Sequence, residues 1–232
     1  VDDRNADFSN RTQGGVVHLN NDALRLARIQ SNNEDGCYFI PVNKLDELIT
    51  LESIHKELED RDIGLQCDRL QLARQICESA SVTQNTTRRK IFAILALMEK
   101  VDAIRDFIRQ GVCDSALPFI FSTDDFLISK RTKEPIMLFQ NRSKWKSSEK
   151  DMFEKYQWEM MTPCFNLSPK GKTSFGRMLI EDRAVLPFIE VHDIEIEGGF
   201  STVRKVKVHP AHYNAHNFSV CTLYLFFSLV LG

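Results

Sequence analysis

Three stretches of this sequence hold residue types that do chemistry. Gly171-Lys172-Thr173 matches the end of a phosphate-binding P-loop, where backbone N–H groups and a lysine cradle phosphates. That loop needs a first glycine where Asn166 stands, a clear strand before it and a helix after it, and the sequence offers none of these. His209, His212 and His216 lie close enough to hold a metal ion. Pro210 opposes a helix that would align them and no acidic or thiolate ligand lies beside them, so a polar hairpin loop is expected. Asp193–Val208 is the third stretch and the most informative.

It predicts a strand, a tight turn at Gly198-Gly199, and a second strand in which Val203, Val206 and Val208 alternate with Arg204, Lys205 and Lys207. A glycine turn between twisted strands lets backbone N–H groups approach a polyphosphate without interference from Cβ atoms. On geometry alone, a hairpin in an ordinary sheet fits these residues equally well.

The segment resembles the glycine-rich nucleotide loop of protein kinases, G-x-G-x-x-G-x-V. Gly198 takes the second glycine, with Gly199 beside it, Val203 takes the terminal valine, and Phe200 takes the aromatic site at the loop tip. Ile196 stands at the first glycine position and Ser201 at the third. Trp158–Phe165, Val185–Ile189, Glu197–Phe200 and Val206–Pro210 are also similar to fungal proteins in which a helical region precedes a serine/threonine kinase domain. The similarity runs from about Asp22 to Asn217, and only its last part belongs to the kinase domain. It implies ATP and magnesium as cofactors of an intact kinase, with Ile196, Gly198, Gly199, Phe200, Ser201 and Val203 around the nucleotide.

A kinase also needs a lysine on its third strand, a glutamate on its first large helix, an H-R-D catalytic loop and a D-F-G metal site. Here Phe218–Cys221 stands where F-A-V-K is expected, with Cys221 in the lysine place, and nothing after it supplies the rest. Phosphoryl transfer depends almost wholly on positioning and charge stabilisation, so this chain is expected to be inactive and to bind ATP negligibly. A non-enzymatic helical interaction module, with the hairpin structural, is the alternative.

The elements that must position the hairpin come before it. Residues 1–15 are polar and read as a disordered tail. Leu24, Leu26, Ala27 and Ile29 predict a short helix, and 31–36 a loop. Asn43 is placed to cap a helix bearing Leu45, Leu48, Ile49, Ile54 and Leu58, and Asp68 to cap another bearing Leu72, Ala73, Ile76 and Ala80. Thr86 or Thr87 opens the strongly apolar run Ile91–Met98, expected at the centre of a bundle. Val101, Ile104, Phe107 and Ile108 form the last face, with Gly111 as its C-terminal stop.

Residues 16–116 therefore predict one helical accessory domain that folds alone, followed by a connecting α/β region over 117–184. Phe119–Phe121, Phe126–Ile128 and Ile136–Phe139 are β-type runs. Ser147 or Ser148 caps a helix reaching about Met161, whose Met and aromatic stripe is packing surface. Residues 185–217 open the kinase-like small lobe. The whole is α+β, mainly α.

The net charge of −2 and the scattered basic clusters give no reason to expect nucleic acid or an anionic membrane as partner. The six cysteines contain no C-x-x-C pair, which removes zinc-ribbon and redox spacings. Free thiols and the absence of an apolar leader point to a cytoplasmic or nuclear location. No charged residue follows Lys207, and 218–232 form an apolar tail shorter than the ~20 residues of a membrane span. Val-Cys at 220–221 is what a fungal intron donor GTATGT encodes when read in frame. The tail is accordingly expected to be non-native, with no sheet to join, and the chain a fragment of the longer kinase.

Overall fold

The computed structural model describes residues 21–33, 36–79, 86–122, 127–141, 143–166, 180–194, 201–214 and 224–230. The chain is mixed α and β, with helices dominant and the strands grouped in small sheets. Helix α1 (Asn21–Leu26) is shorter than the apolar spacing predicts. Leu26 is 86% exposed, and the chain leaves the helix so that Ile29 can pair with Phe39. That pairing joins strands β1 (Ile29–Gln30) and β2 (Tyr38–Phe39) across the predicted loop, where Gly36 takes φ +77°.

The single helix expected from Asn43 is two: α2 (Val42–Leu48) and α3 (Leu51–Asp60). Thr50 makes the break. Its hydroxyl accepts from the Ser53 N–H, and the Ser53 hydroxyl accepts from the Thr50 N–H, a reciprocal cap built with serine in place of the usual Glu or Gln. Helix α4 (Gln66–Cys77) begins before Asp68, which sits in its first turn beside the positive end of the helix dipole.

Helix α5 (Arg89–Leu97) is the central helix expected, with every residue from Ile91 to Leu97 buried. Neither Thr86 nor Thr87 caps it by its own position in the chain. The Asp114 carboxylate, arriving from beyond the next helix, accepts from the N–H groups of Lys90 and Ile91 at 3.1 and 3.0 Å and from the Thr87 hydroxyl at 3.1 Å. Helix α6 (Ile104–Arg109) ends as expected, with Gly111 at φ +69° just beyond its C-cap Gln110.

Strands β3 (Phe119–Phe121) and β4 (Leu127–Ser129) pair antiparallel. Ile136–Phe139 is not a strand: Met137–Gln140 form a 3-10 turn. An extended run would alternate its faces, whereas Ile136, Leu138 and Phe139 are all buried and only Met137 points out. Helix α7 (Ser147–Met160) starts from Lys146, whose N–H donates to the Glu149 carboxylate at 2.8 Å. The buried Gln157 side chain accepts from the Phe119 N–H and donates to the Phe119 carbonyl, pairing α7 with β3 as a neighbouring strand would.

One apolar core runs from Leu24 to Met160, across the change in character at residue 116. Its aromatic centre is Phe107, Phe119, Phe139, Trp145 and Phe153. Phe153 stacks on Phe107 and Phe119 at centroid distances of 5.7 and 5.5 Å. Helix α7 is therefore as much part of the helical body as α5.

The last part of the chain forms β5 (Phe165–Asn166), β6 (Phe188–Ile194), β7 (Ser201–Val208), β8 (Tyr213–Asn214) and β9 (Tyr224–Val230). Strands β5 and β8 pair in parallel, and β6-β7-β9 make an antiparallel sheet. The apolar tail thus has a sheet to join, contrary to expectation: β9 pairs with β7 from Ser201↔Val230 to Lys207↔Tyr224. The free edge of β7 offers its backbone groups to that strand. No helix among the described residues is long and apolar enough to cross a membrane.

Candidate functional site

The β6–β7 hairpin holds the residues singled out by sequence. Its register is Phe188↔Val208, Glu190↔Lys207, Val191↔Val206, His192↔Lys205, Asp193↔Arg204 and Ile194↔Val203, with an irregularity between Phe188 and Glu190. Strand β6 ends at Ile194 and β7 begins at Ser201, so residues 195–200 make the connection, and Gly198 and Gly199 fall within it in sequence. Val203 and Ser201 lie on β7, with Ser228 and Val230 of β9 as their partners. Ile196, Gly198, Gly199 and Phe200 lie outside the described residues, as do Gly171-Lys172-Thr173, His216 and Cys221.

The strand chemistry follows from the alternation of β7. Val206 and Val208 turn inward onto Phe188 and Leu186, forming a small apolar core separate from that of the helical body. Lys207 lies on the other side and pairs with Glu190 across the strands. That hydrogen bond holds the Glu190 carboxyl below its usual range, with His192 at 3.8 Å adding to the effect. The sequence of β9 contains no lysine or arginine.

Polar atoms fasten this hairpin to the helical body. The buried Ser31 hydroxyl donates to the Leu186 carbonyl at 2.7 Å, and the Asn32 N–H donates to the Phe188 carbonyl at 2.8 Å. At the exit of β7, Pro210–His212 form a turn, and the His209 N–H donates to the Pro187 carbonyl at 2.8 Å. Within the stretch expected as a polar hairpin loop, His212 is buried beneath Phe39 and is a core residue. Sequence reasoning missed it because the partners of its ring are backbone atoms of distant segments. Among the described residues no group of His, Cys, Asp or Glu is placed to hold a metal ion, and the five described cysteines are free thiols.

A cleft of about 510 Å³ opens between α7 and the segment entering β6, lined by Tyr38, Glu154, Trp158, Glu159 and Arg183 among others. Its two buried carboxylates are each paired with an arginine. Arg183 pairs with Glu154 and lies over the Trp158 ring, and Arg28 grips Glu159 through two hydrogen bonds of 2.7 and 2.6 Å. Burial still pushes the Glu159 carboxyl above its usual range. The cleft braces α7 against the start of the hairpin.

Comparison with protein-family models, with curated proteins and with solved structures finds no match for this chain.

Proposed function

We propose that residues 185–217 are the opening hairpin of a nucleotide-binding small lobe of the serine/threonine kinase type, and that the helical body is its accessory region. The observation that carries this reading is the β6–β7 pairing, which sets Gly198-Gly199 within the connection and pairs Val203 with Ile194. In that role the connection brings backbone N–H groups to the ATP phosphates, with Ile196, Phe200, Ser201 and Val203 around them. Magnesium, the catalytic lysine and the acid–base residues belong to parts of a kinase for which this sequence has no counterpart. The chain by itself transfers no phosphoryl group. A cytoplasmic or nuclear location accords with its free thiols.

The test replaces the first hairpin of an active serine/threonine kinase with residues 185–214. The reading expects ATP-dependent phosphorylation to survive with a raised KM for ATP, since Ile196 and Ser201 occupy two glycine positions. A folded chimera whose ATP turnover is abolished contradicts it. The core of residues 24–160, complete without the hairpin, favours a second reading as a helical interaction module. An inactive, folded chimera is the result that reading expects.

A further inference from the structure

His212 is 1% exposed and has no part in the nucleotide reading. Its Nδ1 lies 3.0 Å from the Pro163 carbonyl oxygen, and its Nε2 lies 3.3 Å from the backbone N–H of Val42. A carbonyl only accepts and an N–H only donates. The proton therefore sits on Nδ1, Nε2 is bare, and the neutral ring satisfies both partners. Val42 is the first residue of α2, and its N–H is one of the donors a helix start leaves open. Pro41 before it offers no side-chain cap, so an imidazole from the far end of the chain takes that place.

The ring joins three segments: the start of α2, the strand-entry segment at Pro163, and the turn leaving β7. Phe39 packs edge-on against it at 5.4 Å and against His209 at 5.9 Å. The charged and titratable groups that bear on it are His209, Cys164 and Lys90. Cys164 Sγ is 3.8 Å from Nδ1, and burial pushes its thiol up, so it stays neutral. His209 Nδ1 accepts from the Ala211 N–H, and burial pushes that imidazole down. Lys90 is positive. None of the three supplies a negative charge to a protonated ring.

We infer that His212 is an acid-labile latch, which fastens the exit of the β6–β7 hairpin to the helical body when neutral and releases it when protonated. A proton from water added to Nε2 places an N–H against the Val42 N–H. Two buried donors then face each other with no acceptor between them, while Nδ1–H keeps the Pro163 carbonyl. The Ser31 and Asn32 contacts at the start of the hairpin involve only hydroxyl, amide and carbonyl groups. Acid thus frees one end of the hairpin and leaves the other tied.

Burial holds the His212 pKa at about 4, against an ordinary value of 6.5. The unfolded chain takes up the proton first. The contribution of the latch to stability is therefore whole above about 6.5 and declines as pH falls from there toward about 4.

The test is an NMR titration of the full chain from pH 8 to below pH 3, following the His212 ring and the Val42 amide. The His212 midpoint is expected near 4, the Val42 amide is expected to move with it, and the Phe119 amide, held by Gln157, to stay still. His212→Gln keeps one donor and one acceptor without titrating, and should abolish the pH response of Val42. A His212 midpoint near 6.5, or a Val42 amide indifferent to its protonation, overturns the latch. If the glutamine variant fails to fold, the titration of the unaltered chain decides alone.

Discussion

The helical body and the hairpin are held by different physics. In the body, interdigitated apolar side chains from Leu24 to Met160 exclude water over a continuous core, and rings stack on both sides of Phe153. In the hairpin the buried apolar set is Leu186, Phe188, Val206 and Val208, and attachment to the body combines a small apolar contact of Val185 with Phe39 and Trp158 and hydrogen bonds at Ser31, Asn32 and His212. Apolar burial is non-directional and scales with area, whereas a hydrogen bond is local and switches with one proton. A hairpin attached by a few such bonds and one small apolar contact can loosen without unfolding what lies beneath it.

The largest effect should come from the middle of the body. Phe153→Ala removes the ring between Phe107 and Phe119 and is expected to cost about 3–5 kcal/mol in denaturant unfolding. Separating residues 21–116 from α7 should have a similar result: a chain ending at residue 116 exposes Phe107 and α5, and its cooperative thermal transition should be lost. A sharp transition in that fragment would show the core to be divisible at the boundary that the sequence suggests.

Next is the distant cap of α5. Asp114→Ala leaves the N–H groups of Lys90 and Ile91 without an acceptor and is expected to cost about 1–2 kcal/mol. Asp114→Asn keeps an acceptor and should lose less. Burial pushes the Asp114 carboxyl above its usual range, so the folded state resists its ionisation. The loss in the asparagine variant relative to the unaltered chain should therefore be smaller near pH 7 than near pH 4, a difference that paired melts at the two values would reveal.

Much of this was legible in the sequence, for physical reasons that particular residues make plain. The periodicity of Ile91–Leu97 and of α7 reports burial directly, and Gly111 marks a stop because its φ suits few other residues. The second strand of the hairpin was readable from its alternation, whereas β6 begins before the expected Asp193 and the turn at Gly198-Gly199 lies outside the described residues. Tertiary contacts hid the rest. Asp114 caps a helix from beyond the next one, Thr50 breaks a helix with serine as its reciprocal partner, and the His212 ring finds its closest hydrogen-bond partners on backbone far away in sequence. Ile136–Phe139 misled because a run of apolar residues does not distinguish a strand from a buried turn, and β9 because pairing depends on an open edge elsewhere.

The hairpin should respond more weakly than the body. Ser31→Ala removes the bond to the Leu186 carbonyl and is expected to cost about 1 kcal/mol. That loss should speed hydrogen exchange in β6 and β7 while leaving α5 unchanged. Equal acceleration in both regions would erase the contrast between them. Lys207→Met should have the smallest effect, with no measurable change in the melting temperature, because its partner Glu190 faces solvent.

Whether the hairpin opens a kinase small lobe is tested most directly by sequencing genomic DNA and transcripts downstream of codon 217. The kinase account predicts a reading frame that continues, after splicing, into a lysine-bearing third strand, a glutamate on the following helix, and the H-R-D and D-F-G segments. Transcripts that pass unspliced through codons 220–232 to a stop in most copies, with no such frame downstream, would contradict it.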